Sequence, residues 1–236
     1  MGNYVVNMHQ KDDYKLRVIE EEIMEVLFDL QLSKPANQRV KMGEILDRID
    51  TDLAKTQLTN IVRRKLEPSG YVDYLPYEGV ILTENGFNIA VRIARNHRLA
   101  EAMLYQIFDV PFEEVHEQAC SLEHGITDEI ARYVYPKLKI KKTPFGMPIP
   151  MGNIEDLGCN DDCLLDIPVG SHVVLTRITI HSAKILKKYD IKGVGEKLIV
   201  KDIDEKGVLV EIKNKDKKIP ILISQNLCVK PVEKKK

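Results

Sequence analysis

Four side chains of metal-ligand type lie within nine residues of one another in the middle of the chain: His116, Cys120, Glu123 and His124. In a helix, where each residue turns by about 100°, they fall on one stripe. Imidazole nitrogen, thiolate sulfur and carboxylate oxygen together suit borderline divalent transition metals, so the pattern predicts a metal site. The alternative is a chance polar flank with one half-buried cysteine. The adjacent stripe is apolar and would pack on a core; it comprises Val115, Ala119, Leu122, Ile126 and Ile130.

A second pair of ligand types precedes this cluster. His97 and Glu101 are four residues apart and would share one face of a helix. Such a pair is a common surface arrangement. Together with the later cluster, it could supply the rest of a metal site.

The elements that must position these residues begin with a helical N-terminal half. Apolar residues recur at helical spacing over residues 14–32, and shorter helices are expected over 42–49 and from about 54 to 67. A hairpin is expected within residues 71–83. Three helices followed by a small hairpin predict a winged helix-turn-helix.

Helical patterns continue to residue 135, and a β-rich pattern starts near residue 164. Helices are expected over 85–108 and 115–135, then an irregular linker over 143–153. Short β runs at 171–178, 196–201, 207–212 and 219–223 predict a small barrel. The fold class is therefore α+β. The expected division is a winged-helix DNA-binding domain over 1–88, a helical domain over 89–150 that carries the metal-ligand residues, a linker over 151–165 and a β domain over 166–236.

The predicted third helix could read DNA. Its apolar side, formed by Leu58, Val62 and Leu66, would face the core. Residues 51–66 carry four basic side chains against one acidic, whereas the whole chain has a net charge of −1. The alternative is a solvated basic helix, but the following hairpin favours DNA. The polar candidates could reach base edges and the basic ones could neutralise phosphates; they are Lys55, Thr56, Gln57, Thr59, Asn60, Arg63 and Arg64.

Composition excludes several other classes. A net charge of −1 argues against a uniformly basic nucleic-acid binder. The first residues lack the apolar core of a signal peptide, and no stretch approaches the roughly 18 apolar residues of a membrane helix, so a cytoplasmic protein without a membrane partner is expected. Four cysteines in a chain expected to be cytosolic argue against a disulfide framework. Cys159 and Cys163 could bind metal or form a disulfide, but incidental loop cysteines are favoured.

Three motifs resemble the diphtheria-toxin-repressor family of iron- and manganese-dependent regulators. They are Asn-His-Arg-Leu-Ala-Glu (96–101), Val-His-Glu-Gln-Ala-Cys-Ser-Leu-Glu-His (115–124) and Thr-Pro-Phe-Gly-Met-Pro-Ile-Pro (143–150). The β-rich C-terminal region is similar to that family's SH3-like domain and to FeoA domains. The resemblance implies a homodimer on double-stranded, palindromic operator DNA, with no small-molecule substrate.

The resemblance also implies two neighbouring metal sites. His97, Glu101 and His116 match the ancillary site. Cys120, Glu123 and His124 match the primary, activating site, which takes a further ligand from the first helix. Asp13, just before Tyr14, stands at the position of that further ligand, and Glu117 could join a manganese-type binuclear site. Iron-type members add ligands from the SH3-like domain, where His181 is a candidate that no motif aligns.

The residues at the ligand positions give a mixed indication of the preferred metal. Cys120 is typical of iron-type members, whereas Asp13 is typical of manganese-type members. Leu16 stands where manganese-type members have a second acidic ligand. Thiolates favour softer ions and carboxylates harder ones. Fe²⁺ is favoured and Mn²⁺ is the alternative, while Zn²⁺, Co²⁺ or Ni²⁺ could bind in vitro.

The expected function is a metal-dependent transcriptional repressor that controls metal-uptake genes. Metal would fix the DNA-binding domain by bridging Asp13 on the first helix to Cys120, Glu123 and His124 on the later helix. Two other functions remain open at this stage. One is a metal-independent winged-helix regulator, and the other is a metalloenzyme in which an open coordination position activates water.

Overall fold

A computed structural model describes residues 16–35, 37–49, 53–151, 157, 161–179 and 183–232. The chain divides into two compact units. The first unit comprises Met1–His97, Glu123–Arg132 and Ile149–Gly158, and the second comprises Arg98–Leu122, Tyr133–Pro148 and Cys159–Lys236. The domain boundaries expected from the sequence stay predictions.

The N-terminal part of the first unit is a winged helix-turn-helix, as predicted. Helix α1 spans Val18–Leu32, α2 spans Met42–Leu46 and α3 spans Lys55–Ile61. A π-helical turn over Val62–Leu66 extends α3. Strands β1 (Val72–Leu75) and β2 (Gly79–Leu82) form an antiparallel hairpin, the wing.

The apolar faces predicted for these helices form the core of the first unit. Leu58, Val62 and Leu66 are fully buried, and α1 contributes Ile23 and Leu27. Their periodic spacing places them on one side of each helix, which leaves Lys55 of α3 and the three basic residues of its π-helical extension in solvent.

A short backbone bridge pairs Val40, which precedes α2, with strand β2 of the wing next to Gly79. Val40 and Val80 exchange two backbone hydrogen bonds, with N···O distances of 2.8 and 2.9 Å. Gly79 has φ +123°, and a Cβ there would lie 2.3 Å from the Val40 carbonyl oxygen. Only glycine fits both the positive φ and the close approach.

The helices after the wing differ from the expectation in one place. Helix α4 spans Glu84–Gln106 and α5 spans Phe112–Leu122. The helix expected over 115–135 is wrong: α5 ends at Leu122, a 3₁₀ turn covers Glu123–Gly125, α6 spans Asp128–Val134 and a second 3₁₀ turn covers Tyr135–Lys137.

Local chemistry explains this break. Gly125 disfavours a continuous helix, and the Thr127 hydroxyl starts α6 by accepting a hydrogen bond from the Ile130 backbone amide at 3.2 Å. Ile130 consequently leaves the predicted apolar stripe and is exposed.

The C-terminal region is the expected SH3-like β structure, a six-stranded antiparallel sheet with strand order β3-β8-β4-β5-β6-β7. Helices α7 (Ala183–Lys187) and α8 (Ile221–Ser224) interrupt the strand sequence. The strands are β3 (Asp162–Cys163), β4 (His172–Ile178), β5 (Lys197–Asp204), β6 (Gly207–Ile212), β7 (Lys215–Pro220) and β8 (Leu227–Pro231). A 3₁₀ turn over Leu164–Asp166 follows β3.

Three of the four predicted β runs correspond to β4, β5 and β6, and the fourth is wrong. In the run expected over 219–223, only Ile219 and Pro220 are in a strand, the end of β7, and α8 begins at the next residue. Proline is favoured at a helix start because its missing N–H would have no helical partner there. Strand β8 was not predicted.

The segment before the sheet packs into the sheet's own core. Phe145 is buried in that core, and its carbonyl oxygen accepts a hydrogen bond from the Ile178 amide at 2.9 Å. Gly146 has φ +81°, and a Cβ there would lie 2.2 Å from the Thr176 carbonyl oxygen. Phe112 and Val115 of α5 enter the same core. Helix α5 and the sheet are therefore parts of one packed unit.

Among the helices in the described ranges, none is both long and apolar enough to cross a membrane.

Candidate metal centre

Five ligand-type side chains of the first unit meet at one place, which we call the first-unit cluster: Glu21 and Glu25 of α1, His97 of α4, and Glu123 and His124 of the 3₁₀ turn. His97 Nδ1 lies 2.7 Å from a Glu123 carboxylate oxygen and 3.9 Å from one of Glu25. His124 Nδ1 lies 2.9 Å from a Glu21 oxygen. The cluster thus joins the first helix of the winged helix-turn-helix to the turn after α5.

Two residues of α4 hold that turn in place. The Arg95 guanidinium pairs with Asp128 at 2.6 Å. The Asn96 side-chain amide donates to the Ile126 carbonyl oxygen at 2.8 Å. Arg95 is 2% exposed, and a buried guanidinium is costly unless it is paired. Both contacts are made just C-terminal to Glu123 and His124, and so fix the backbone that follows them.

The cluster concentrates carboxylates in a buried setting. His97, Glu25 and Glu123 are 3%, 7% and 9% exposed. Burial raises the pKa of Glu21, and the neighbouring Glu123 raises it further, against the opposing effect of His124. Crowded carboxylates in low dielectric repel each other, and a cation would relieve the repulsion.

The geometry and the donors fit a divalent metal ion. The ligand atoms of Glu21, Glu123 and His124 lie within 4.8 Å of one another, as do those of Glu25, His97 and Glu123. A metal with bonds of about 2.0 to 2.2 Å holds opposite ligand atoms at most ~4.4 Å apart. Small movements would therefore bring either group to coordination distance, and Glu123 belongs to both groups.

A smaller group, the second-unit cluster, comprises Glu101 of α4 and His116 and Cys120 of α5. His116 Nδ1 lies 3.2 Å from a Glu101 oxygen, and its Nε2 lies 3.7 Å from Cys120 Sγ. His116 and Cys120 are four residues apart on α5 and face the same side. These three residues combine carboxylate, imidazole and thiol donors.

Packing from the C-terminal sheet orients this second-unit cluster. The Phe145 ring meets the His116 imidazole edge-on, with centroids 6.4 Å apart, and packs on Phe112 at 4.9 Å. Arg98 of α4 is buried and donates to the Pro148 carbonyl oxygen at 3.0 Å. The motif over 143–150 therefore has a structural role: it connects α4, α5 and the sheet.

Three predicted ligands are not in either cluster, and the other predicted ligands are divided between the two clusters. Glu117 lies on the exposed side of α5. Asp13 and His181 lie outside the described residues. The predicted groupings of His97 with Glu101 and His116, and of Cys120 with Glu123 and His124, draw on both units and stay predictions.

Sequence reasoning missed Glu21 and Glu25. A signal was present: the two glutamates are four residues apart, and Glu25 interrupts the run of apolar residues that α1 buries. A carboxylate at such a position is costly unless it is paired or binds a cation.

The predicted DNA-contacting residues surround the apolar side of α3 and its π-helical extension. Thr59 is partly buried, and its hydroxyl donates to the Lys55 carbonyl oxygen at 2.8 Å. The Gln57 side-chain oxygen accepts from the Ala54 amide at 2.9 Å, which caps the helix start. The exposed members are Lys55, Thr56, Gln57, Asn60, Arg63 and Arg64.

Comparison with known proteins places the chain among metal-dependent regulators. The family described as iron dependent repressor, metal binding and dimerisation domain, matches residues 83–151. The iron-dependent repressor IdeR of Mycobacterium tuberculosis is 30% identical over 171 residues, which are 68% of this chain and 72% of the relative. The diphtheria toxin repressor of Corynebacterium efficiens is 28% identical over 143 residues, 60% of this chain and 59% of the relative.

Solved structures share the fold. The crystal structure of T. acidophilum IdeR has a TM-score of 0.72 at 21% identity, covering 93% of this chain and all of the other. A manganese-dependent transcriptional repressor in complex with manganese has a TM-score of 0.73 at 22% identity, covering 90% and 99%. The curated relatives are repressors rather than enzymes, which removes the metalloenzyme alternative. The chain belongs to the diphtheria-toxin-repressor family of iron- and manganese-dependent regulators.

Proposed function

We propose that this chain is a transcriptional repressor that binds palindromic operator DNA as a homodimer when loaded with Fe²⁺, with Mn²⁺ as the alternative metal. It would control genes of metal uptake. The observation that carries the proposal is the first-unit cluster, which brings α1 of the winged helix-turn-helix to the turn that bears Glu123 and His124.

The cluster suggests how metal would control DNA binding. Glu21 and Glu25 lie on α1, whereas Glu123 and His124 lie on the turn after α5. A cation shared by these side chains would fix α1 to the turn and narrow the positions open to the winged helix. Metal promotes DNA binding only if it binds the DNA-competent arrangement more tightly, and DNA must then raise metal affinity by the same factor.

The exposed face of α3 supports a DNA-binding role. Lys55, Arg63 and Arg64 can neutralise phosphates, and Thr56 and Asn60 can reach base edges in the major groove. Two such helices in a dimer would meet successive major grooves about 34 Å apart.

Exposed apolar side chains in the second unit support self-association. Tyr105, Phe108, Tyr133 and Ile140 are all large and exposed, and they lie within the region that matches the family's metal binding and dimerisation domain. A contiguous patch of exposed large apolar residues marks an interaction surface in soluble proteins, and we propose that these four residues belong to one such patch. We place the homodimer contact here.

Names of related proteins support both candidate metals. The curated relative in Mycobacterium tuberculosis is named for iron, and one structural neighbour is a manganese-dependent repressor. The carboxylates and imidazoles of the first-unit cluster would accept either ion.

The decisive experiment measures DNA binding as a function of metal. The probe is a duplex selected by the metal-loaded protein from a random-sequence library. Binding is titrated anaerobically with chelator, Fe²⁺, Mn²⁺, Zn²⁺, Co²⁺ and Ni²⁺. We expect no specific binding in chelator and tight binding with Fe²⁺ or Mn²⁺, by a species whose mass in light scattering is that of a dimer. Equal binding with and without metal would instead identify a metal-independent regulator.

Two variants connect that result to the cluster. Combined replacement Glu123→Ala and His124→Ala should abolish metal-dependent binding. Glu129→Ala is the matched control, since Glu129 is an exposed acid on the neighbouring helix α6. If the double variant kept the metal response of the control, the proposed role of the cluster would be wrong.

A further inference from the structure

Two cysteines face each other in the C-terminal sheet. In the antiparallel pairing of β3 with β8, Cys163 is the register partner of Cys228. Neither is in a disulfide, and both are half-buried. Directly opposed residues on antiparallel strands point to the same face of the sheet, so the two thiols are neighbours.

The spacing imposed by this register suits a disulfide. Opposed Cα atoms in an antiparallel pair are about 4.5 to 5.5 Å apart. Disulfides span Cα separations of roughly 4.4 to 6.8 Å. Cβ atoms about 4.5 to 5.5 Å apart must approach slightly to reach the roughly 3.5 to 4.5 Å of a disulfide. Strand β3 has two residues and lies at the edge of the sheet, so one neighbouring strand alone resists that approach.

Other contacts keep the two strands in this register. Asp161 pairs with Lys230 at 3.0 Å, just beside the cysteines. The Thr176 hydroxyl of β4 donates to the Cys228 carbonyl oxygen at 3.1 Å, which holds β8 from its other side. Leu164, next to Cys163, is fully buried in the core. The pair is therefore held in place by the fold before any bond forms.

We propose that Cys163 and Cys228 are a redox-active dithiol that closes a reversible disulfide between β3 and β8. The oxidant is a low-molecular-weight disulfide. The thiolate of Cys228 attacks it, forming a mixed disulfide and releasing one small thiol. Cys163 then attacks the Cys228 sulfur, the protein disulfide forms and a second small thiol leaves. Two protein thiols are oxidised, two small thiols are produced, and the protons transfer between them.

The order of attack follows from the environment of Cys163. Burial raises the pKa of its thiol, and Asp166 raises it further, against a backbone hydrogen bond from Leu165. Its thiolate is consequently scarce at neutral pH, which suits the second, intramolecular step better than attack on a free disulfide.

The test uses the full-length reduced protein, incubated with oxidised glutathione, blocked with iodoacetamide and digested for mass spectrometry. Cleavage before Asp161 or Asp162 separates Cys159 from Cys163. We expect an intramolecular link between the peptides that carry Cys163 and Cys228, reversed by dithiothreitol. Closing this long loop should raise the melting temperature by roughly 5 to 10 °C.

Single-cysteine variants complete the test. Cys159→Ser should retain the link and the rise in melting temperature. Cys163→Ser should lose both and keep a glutathione adduct on Cys228. A link from Cys163 to Cys159, a link between two molecules, or adducts that never resolve into a disulfide would each overturn the proposal.

Discussion

The first-unit cluster and the second-unit cluster use similar residue types but differ in what positions them. The first consists of carboxylates and imidazoles from α1, α4 and a 3₁₀ turn, elements that meet only through tertiary folding. The second has His116 and Cys120 on a single helix, and its surroundings belong to the core of the C-terminal sheet. One group is chemically harder and depends on the winged helix, while the other contains a thiol and depends on the sheet.

This difference indicates a division of labour, by which we mean that metal in one cluster controls DNA binding and metal in the other supports the fold. A metal in the first-unit cluster would change the freedom of α1 and thereby DNA binding. A metal in the second-unit cluster would strengthen a part of the molecule that packing already orders. The first is therefore the better candidate for a switch, and the second for a supporting site.

The largest expected effect is on metal affinity, and it is measured by comparing one isosteric substitution in each cluster. Glu123→Gln removes the carboxylate shared by both ligand groups of the first-unit cluster, and Glu101→Gln removes the carboxylate of the second. We expect Glu123→Gln to lower metal affinity at least about 100-fold, because even side chains that merely support a ligand are worth roughly 10- to 100-fold. Glu101→Gln should cost about tenfold and keep DNA binding at saturating metal. Calorimetric titration and gel shifts would measure both, and equal losses would contradict the division of labour.

The next effect is on the free energy of unfolding, and it tests the packing of Phe145 between the sheet's core and the second-unit cluster. Phe145→Leu shrinks a ring that is 4% exposed and contacts Phe112 and His116. We expect the free energy of unfolding to fall by about 1 to 2 kcal/mol, with no change in metal-dependent DNA binding at saturating metal. Val169→Ala, at an exposed site, is the control and should stay within about 0.5 kcal/mol of the parent protein in urea denaturation. Loss of DNA binding in folded Phe145→Leu protein would show that the two clusters are not separable.

A third substitution tests the chemical difference between the clusters. Cys120→Asp replaces a thiol by a carboxylate and should shift relative affinity from Zn²⁺ towards Mn²⁺ on the order of tenfold, because thiolates favour softer ions. The competition is best read with a fluorescent chelator. Cys228→Ser, which removes a thiol from the sheet instead, should leave the ratio unchanged. An unaltered ratio in Cys120→Asp would mean that Cys120 is not a ligand.

The smallest effect is a pH dependence. Because the pKa of Glu21 is raised above its ordinary value of 4.5 in the folded protein, chiefly by burial, the folded state binds this proton more tightly than the unfolded chain. The metal-free fold therefore gains stability from this group as pH falls towards 4.5, whereas a metal must displace the proton and binds less tightly.

Glu21→Gln isolates that contribution. Between about pH 7.5 and about pH 5.5, metal affinity should fall a few-fold more steeply in the parent protein than in the variant. Identical slopes would place Glu21 outside the metal site.

Periodic patterns predicted most of the fold. The apolar spacing of Leu58, Val62 and Leu66 specified the buried side of α3, and all three are fully buried. Alternating β-branched residues located β4, β5 and β6. The pattern failed where local chemistry overrode it, at Gly125 and Pro220, since neither residue changes hydrophobic periodicity even though each ends an element.

The candidate site was less predictable because ligands come from segments far apart in the chain. Sequence spacing grouped Glu123 and His124 with Cys120 on one helix, but α5 ends at Leu122 and a turn carries the two later residues. Glu21 is more than 100 positions from His124, and no local pattern indicates their 2.9 Å contact. Only the packing of α1 against the turn brings them together.

The shared core of α5 and the sheet limits how this protein can be shortened. Phe112, Val115 and Phe145 owe their burial in part to side chains of the strands. Removing the strands would expose two aromatic rings, each able to bury about 150 to 250 Å², in a unit where Tyr105 and Phe108 are already exposed. A gene that lost its 3′ end would therefore encode an aggregation-prone protein rather than a smaller regulator. Polar substitutions at these aromatic positions would reduce the apolar surface that a shorter descendant exposes.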